Sequence, residues 1–158
     1  MEDKEQLNIL PPEDIADKLG RIFDLMNAGA TDTLVVSSLA NKLYLTGRVF
    51  VGYIVLTASD RRMRCFVRRP NNLTGKDVTL IRKVEDIPAL LDTPTGTLAL
   101  ECDNSTYANV IRIAKAFGTD RFSNADTVLS AVRAVKTRYE IGQIEENSRR
   151  LSYVYSHI

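Results

Sequence analysis

Short apolar runs, too brief for helices and fenced by turn residues, limit what this sequence can become. Thr33–Ser37 reads T-L-V-V-S, and Gly52–Thr57 reads G-Y-I-V-L-T. Arg62–Arg68, Val78–Val84 and Thr97–Cys102 repeat the pattern of β-branched and apolar residues. The Ala58-Ser59-Asp60-Arg61 turn separates the second and third runs at hairpin spacing. Helical stretches lie between and after them. Pro11-Pro12-Glu13 opens one, with Ile15, Leu19, Ile22, Phe23 and Met26 on a single face and Asn27-Ala28-Gly29-Ala30 closing it. Leu39–Tyr44 is a helical turn that gives way to a loop at Tyr44-Leu45-Thr46-Gly47. A further helix over 105–117 should turn Tyr107, Val110, Ile111, Ala114 and Phe117 inward, with Arg112 and Lys115 outward. Thr119–Phe122 reads as a short edge strand, and Asp126–Ala134 as another helix. The sum is an α/β fold: a mixed sheet of about six strands with helices on its faces.

Composition removes several functions. The 21 basic and 20 acidic side chains of the 158 residues nearly cancel, so no global field draws nucleic acid or an anionic membrane. No apolar run approaches the ~18–20 residues a spanning helix needs. The M-E-D-K-E-Q start is unlike a secretory signal. Cys65 and Cys102 sit in apolar runs, which fits reduced core thiols and a cytoplasmic location.

Chemistry-bearing constellations are sparse. His157 is the one histidine, near the end of the sequence, so neither a zinc site nor a Ser–His or Cys–His pair can be assembled around it. No phosphate loop occurs among the scattered glycines. A ribonuclease-type metal site would need an acid in the first strand, and Thr33–Ser37 has none. Glu101 and Asp103 end the last long strand, where Asp103-Asn104-Ser105 reads as a helix-capping segment. Arg61, Arg62, Arg64, Arg68 and Arg69 crowd one hairpin arm. They suit either an anion groove or, as preferred here, a charged solvent-facing strand that resists edge pairing.

From Lys136 the sequence becomes one long helical pattern, with Ile141, Ile144, Leu151, Tyr155 and Ile158 at three- and four-residue steps. Glu145–Arg149 and Glu146–Arg150 pairs support it, and no Gly, Asn or Pro stop follows. The expectation is a domain over 1–134 and a connecting helix over 135–158 that leads into a further domain.

Three segments carry a resemblance. The first is R-I-F-D-L-M-N-A-G-A-T-D-T-L-V-V-S-S followed by L-A-N-K-L-Y-L-T-G; the second is T-L-A-L-E-C-D-N-S-T-Y; the third is L-S-A-V-R-A-V-K-T-R-Y-E-I-G-Q-I-E-E-N. Within them stand an N-x-x-Y-L-x-G turn (Asn41, Tyr44, Leu45, Gly47) and an R-x-x-K-[ST]-x-x-E-I signature (Arg133, Lys136, Thr137, Glu140, Ile141). Their order over nearly the whole chain resembles the N-terminal domain of the creatinase, prolidase and Xaa-Pro aminopeptidase group. That resemblance implies a ribonuclease-H-like mixed sheet flanked by helices. It implies a partner in the protein's own "pita-bread" catalytic domain, which holds a divalent metal pair such as Mn or Co on Asp, Asp, His, Glu and Glu. No cofactor or metal ligand is then expected in this chain. Read residue by residue, the motif positions suit structural work. In creatinase-like members the loop after the Y-L-x-G turn reaches substrate. Arg48, as a carboxylate partner, and Phe50, as an apolar wall, are the candidates here. The implied function is substrate gating and homo-oligomer assembly for an Xaa-Pro peptidase. The alternative is a protein-interaction module of a catalytically inactive relative, or a domain that self-associates through its terminal stripe.

Overall fold

The computed structural model describes residues 3–158. Six strands form one mixed sheet in the spatial order β6-β4-β3-β2-β7-β8. They are β2 (Thr33–Val36), β3 (Gly52–Thr57), β4 (Arg62–Arg68), β6 (Val78–Ile81), β7 (Leu98–Leu100) and β8 (Ser123–Asn124). The β2–β3–β4 section is antiparallel, whereas β4–β6, β2–β7 and β7–β8 are parallel. Two residues each of β1 (Glu5–Gln6) and β5 (Leu73–Thr74) make a separate parallel pair that pins the N-terminal segment to the domain.

Strand periodicity builds two cores, because alternate side chains leave opposite faces. Leu34, Val36, Ile54, Leu56 and Val67 meet α1 (Pro12–Ala28), α2 (Leu39–Thr46) and α4 (Asp126–Ala134) through Ile22, Phe23, Leu45 and Leu129. Val35, Val55, Phe66, Leu98 and Leu100 meet α3 (Tyr107–Ala116) through Val110, Ile113 and Ala114. Two short 3-10 turns at Val84–Asp86 and Pro88–Leu90 close that second layer. The last element, α5 (Arg138–Ser156), contributes no buried residue.

Several expectations shift. Tyr107 is 80% exposed and Ile113 takes the inward position. The cause is the start of the helix: Thr106, not the Asp103–Ser105 segment, is the N-cap, its hydroxyl accepting from the Asn109 amide. Tyr107 therefore occupies the first turn, at the sheet's rim. The last edge strand forms at Ser123–Asn124 rather than 119–122, where Thr119 instead spends its hydroxyl on a local turn with Arg121. The arginine-rich β4 is interior, flanked by β3 and β6, so it is not a solvent-facing edge. Arg64 is buried there because Asp60 and the Thr57 hydroxyl receive its guanidinium at 2.6 and 2.8 Å. The fourth run pairs only over Val78–Ile81, since the Asp86 carboxylate captures the amides of Arg82 and Lys83 and turns the chain.

Gly52 opens β3 with φ of +148°, and a Cβ there would lie 2.0 Å from the Phe66 carbonyl oxygen. Gly20, within α1, has nothing within 4 Å of a built Cβ. Gly52→Ala should therefore cost at least ~2 kcal/mol in urea unfolding, while Gly20→Ala should add ~0.5–1 kcal/mol. Equal effects of the two substitutions would contradict the packing described.

Candidate functional site

The start of α2 is held by a carboxylate distant in sequence. Ser38 is the N-cap, its hydroxyl accepting from the Asn41 amide at 3.3 Å. Glu101, just past β7 and 2% exposed, sits over the same turn. It accepts from the amides of Ser37 and Ser38, the Ser38 hydroxyl at 2.7 Å, and the side-chain amide of Asn41. An acid beside the positive end of a helix, with donors on both oxygens, is well matched in charge and hydrogen bonding. Behind it, buried Lys42 donates to the carbonyls of Phe50 and Gly52 at 2.8 and 3.1 Å. Burial holds the Lys42 ammonium below the usual lysine range, and the Glu101 charge acts in the opposite direction.

The motif residues join this node to the base of α5. The Asn41 side-chain oxygen accepts from Arg133 at 3.3 Å, and Lys136 donates to the Arg133 carbonyl. Thr137 and Glu140 form a reciprocal capping box, with Glu140 accepting from the Thr137 amide at 2.9 Å. The Thr137 hydroxyl donates to Asp14, which is buried beside Lys18 on α1. Lys18 lies 2.7 Å from Asp14 in a buried ion pair. It donates to the Tyr44 carbonyl at 3.0 Å and stands 4.3 Å above the Tyr44 ring centroid. Gly47 ends α2 in the left-handed region at φ +77°, where a Cβ would meet the Ile9 side chain at 2.7 Å. Asn41, Tyr44, Gly47, Arg133, Lys136 and Glu140 thus stand in one structural assembly.

Arg48 and Phe50 are not brought together. Arg48 pairs with Glu5 at 2.9 Å, and Phe50, 5% exposed, packs into the core on the α1 side. Asp14, Lys18, Lys42 and Glu101 escape the sequence reading as members of this network. The one available signal was the i, i+4 spacing of Asp14, Lys18 and Ile22, which puts an acid and a base on the buried stripe.

Beside the Glu101 node runs a groove. Helix α2 leaves β2 on one face of the sheet and α3 follows β7 on the other, which opens a crevice at the carboxyl ends of two neighbouring parallel strands. Its wider part, about 560 Å³, is lined by Ser38, Asn41, Asn104, Thr106 and Arg133 among others. A narrower cleft of about 250 Å³ continues it past Ser37 and Asn109 toward Tyr53, Arg68, Arg82 and Arg112. Among the described residues, no group of three or more His, Cys, Asp or Glu is placed to hold a metal ion. The donor set therefore does not fit the metal pair of the catalytic domain that the resemblance implies.

The profile of the Creatinase/Prolidase N-terminal domain matches residues 18–135. This chain belongs to that family. Solved structures share the fold of the domain. The prolidase of Pyrococcus horikoshii OT3 superposes with a TM-score of 0.64 at 20% identity, over 82% of this chain and 38% of that one. The Xaa-Pro dipeptidase of Bacillus anthracis gives 0.70 at 14% identity, over 91% of this chain and 44% of its own. A Streptococcus pyogenes structure described as an Xaa-Pro aminopeptidase gives 0.64 at 17%, over 77% of this chain and 99% of that one. This creatinase/prolidase-type domain therefore spans less than half of the two longer relatives. No curated protein matches it. None of the described helices is long and apolar enough to cross a membrane.

Burial first, then the charges of Glu140 and Asp14, push the Tyr44 phenol up to about 12, and its hydroxyl is buried without a hydrogen-bond partner among the described residues. The folded state thus holds a proton that an unfolded tyrosine releases near ~10. Stability from this group is intact below the unfolded value and falls as pH rises toward about 12. Tyr44→Phe loses no hydrogen bond, so urea unfolding at neutral pH should show equal or higher stability and a shallower alkaline decline. An alkaline decline as steep as that of the parent chain would contradict this placement.

Proposed function

We propose that the chain serves as the non-catalytic N-terminal domain of an Xaa-Pro peptidase of the aminopeptidase P or prolidase type, contributing substrate gating and homo-oligomer assembly. The carrying observation is the condition of α5. Its base is locked by the Thr137–Glu140 capping box and by Asp14, yet Ile144, Leu151 and Ile158 are 52%, 57% and 95% exposed. A helix fixed at its root with an apolar stripe along its length suits a connection to a body that packs on it. The family match and the share of the longer relatives that is covered support the same reading. On this reading the divalent metal pair, Mn or Co, and its ligands belong to that catalytic body, and of the two loop candidates only Arg48, partly exposed beside Glu5, is placed to meet substrate, since Phe50 is packed into the core. The cellular setting proposed is the cytoplasm.

Two observations test this reading. The purified 158-residue chain, given Mn²⁺ or Co²⁺, should not hydrolyse Xaa-Pro dipeptides, and steady turnover would overturn it. The reading frame beyond the Ile158 codon should encode Asp, Asp, His, Glu and Glu in that order. A pita-bread sequence lacking some of them would favour an interaction module of an inactive relative, and a frame that stops would refute the peptidase assignment.

A further inference from the structure

The narrow end of the groove concentrates positive charge in a chain whose net charge is only +1. Arg68 arrives at the end of β4, Arg82 and Lys83 follow β6, and Arg112 comes from α3, all around a cleft of about 250 Å³. Arg112 is engaged by Glu85 at 3.0 Å. Among the described residues, the side chains of Arg68, Arg82 and Lys83 form no ion pair. Buried Lys42 lines the same cleft, its ammonium fixed by two carbonyls.

The backbone that presents these cations is itself held in place. Parallel pairing sets Arg68 opposite Ile81, the Arg69 amide donates to the Ile81 carbonyl at 2.9 Å, and Asp86 receives the amides of Arg82 and Lys83 at 3.1 Å. Asp86 is thereby occupied with main chain rather than with the guanidinium groups. Such an arrangement suffers repulsion that one bound anion would relieve, and arginine forks suit oxygens set close together on one centre. The volume is small for a drug-sized ligand and smaller still for a macromolecule. Ser37 and Asn109, on the side toward the wider groove, add neutral hydrogen-bonding groups.

We propose that this cleft is a binding site for a small oxyanion of at least two negative charges, a phosphate or a polycarboxylate, held by Arg68, Arg82, Lys83 and Arg112. The site is independent of whether the domain serves a peptidase. Titration of the 158-residue chain with inorganic pyrophosphate and, separately, with citrate tests it by two-dimensional NMR at low ionic strength. At least one of them should produce saturable shifts confined to the amides around Ser37, Tyr53, Arg82 and Arg112. Saturation by pyrophosphate alone assigns a phosphate ligand, by citrate alone a polycarboxylate, and by both a general oxyanion site. Arg82→Gln should weaken binding about tenfold or more, because a charge-assisted contact is lost. Its side chain is exposed and unpaired among the described residues, so an unchanged thermal midpoint is expected alongside. Arg149→Gln, an equal charge change on α5, should leave affinity unaltered. No saturable shift with either anion, or equal weakening by both substitutions, would overturn the proposal.

Discussion

The carboxylate of Glu101 stands where two strands and two helices must agree. Its parent strand, β7, lies parallel to β2, so the end of one comes beside the end of the other. The amides of Ser37 and Ser38 leave β2 there without a sheet partner, and the N-terminus of α2 begins immediately beyond them. Donors partly withdrawn from water in this way are costly unless met. Glu101 meets both amides, the Ser38 hydroxyl and the Asn41 side chain at once. The position of α2, and through Asn41 that of Arg133 at the end of α4, follows from this one acid. A second acid works in the same way one strand over, where Asp126 at the start of α4 accepts from the Cys102 and Asp103 amides at 2.7 and 2.9 Å.

These clamps explain how a sheet with helices on both faces keeps an open groove. Helices α2 and α3 diverge to opposite layers, and the polar ends that would otherwise collapse into the crevice are already satisfied by Glu101 and Asp126. On the other side of α2, the Asp14–Lys18–Tyr44 ladder and the Thr137 hydroxyl carry the same rigidity to the root of α5. α5 is thus held at its base and bare along its length.

Much of this was legible in the chain. β3 begins and ends where its apolar run does, and α4 spans the expected residues. Among the motif residues, Asn41 and Arg133 meet across α2 and α4, and Thr137 and Glu140 cap α5. What escaped was non-local. Glu101 finds its partners some 60 residues away, so it read as part of a cap for the next helix. Charge misled at β4, because Asp60 and Thr57 remove the cost of burying Arg64, which no alternation pattern reveals. The two-residue strands β1 and β8 are fixed by their neighbours rather than by their own propensity. Tyr107 went astray because the cap falls at Thr106, which leaves it as the first residue of α3, 80% exposed at the helix end rather than along the buried stretch.

The central claim is that Glu101 organises the domain, and hydrogen exchange reports on it directly. In the intact chain the Ser37 and Ser38 amides should exchange only through global unfolding, like the core amides of β2. In Glu101→Gln both should lose most of that protection, with global stability lower by ~2–3 kcal/mol. Exchange of Ser37 and Ser38 at ordinary loop rates while Glu101 is present would contradict the account.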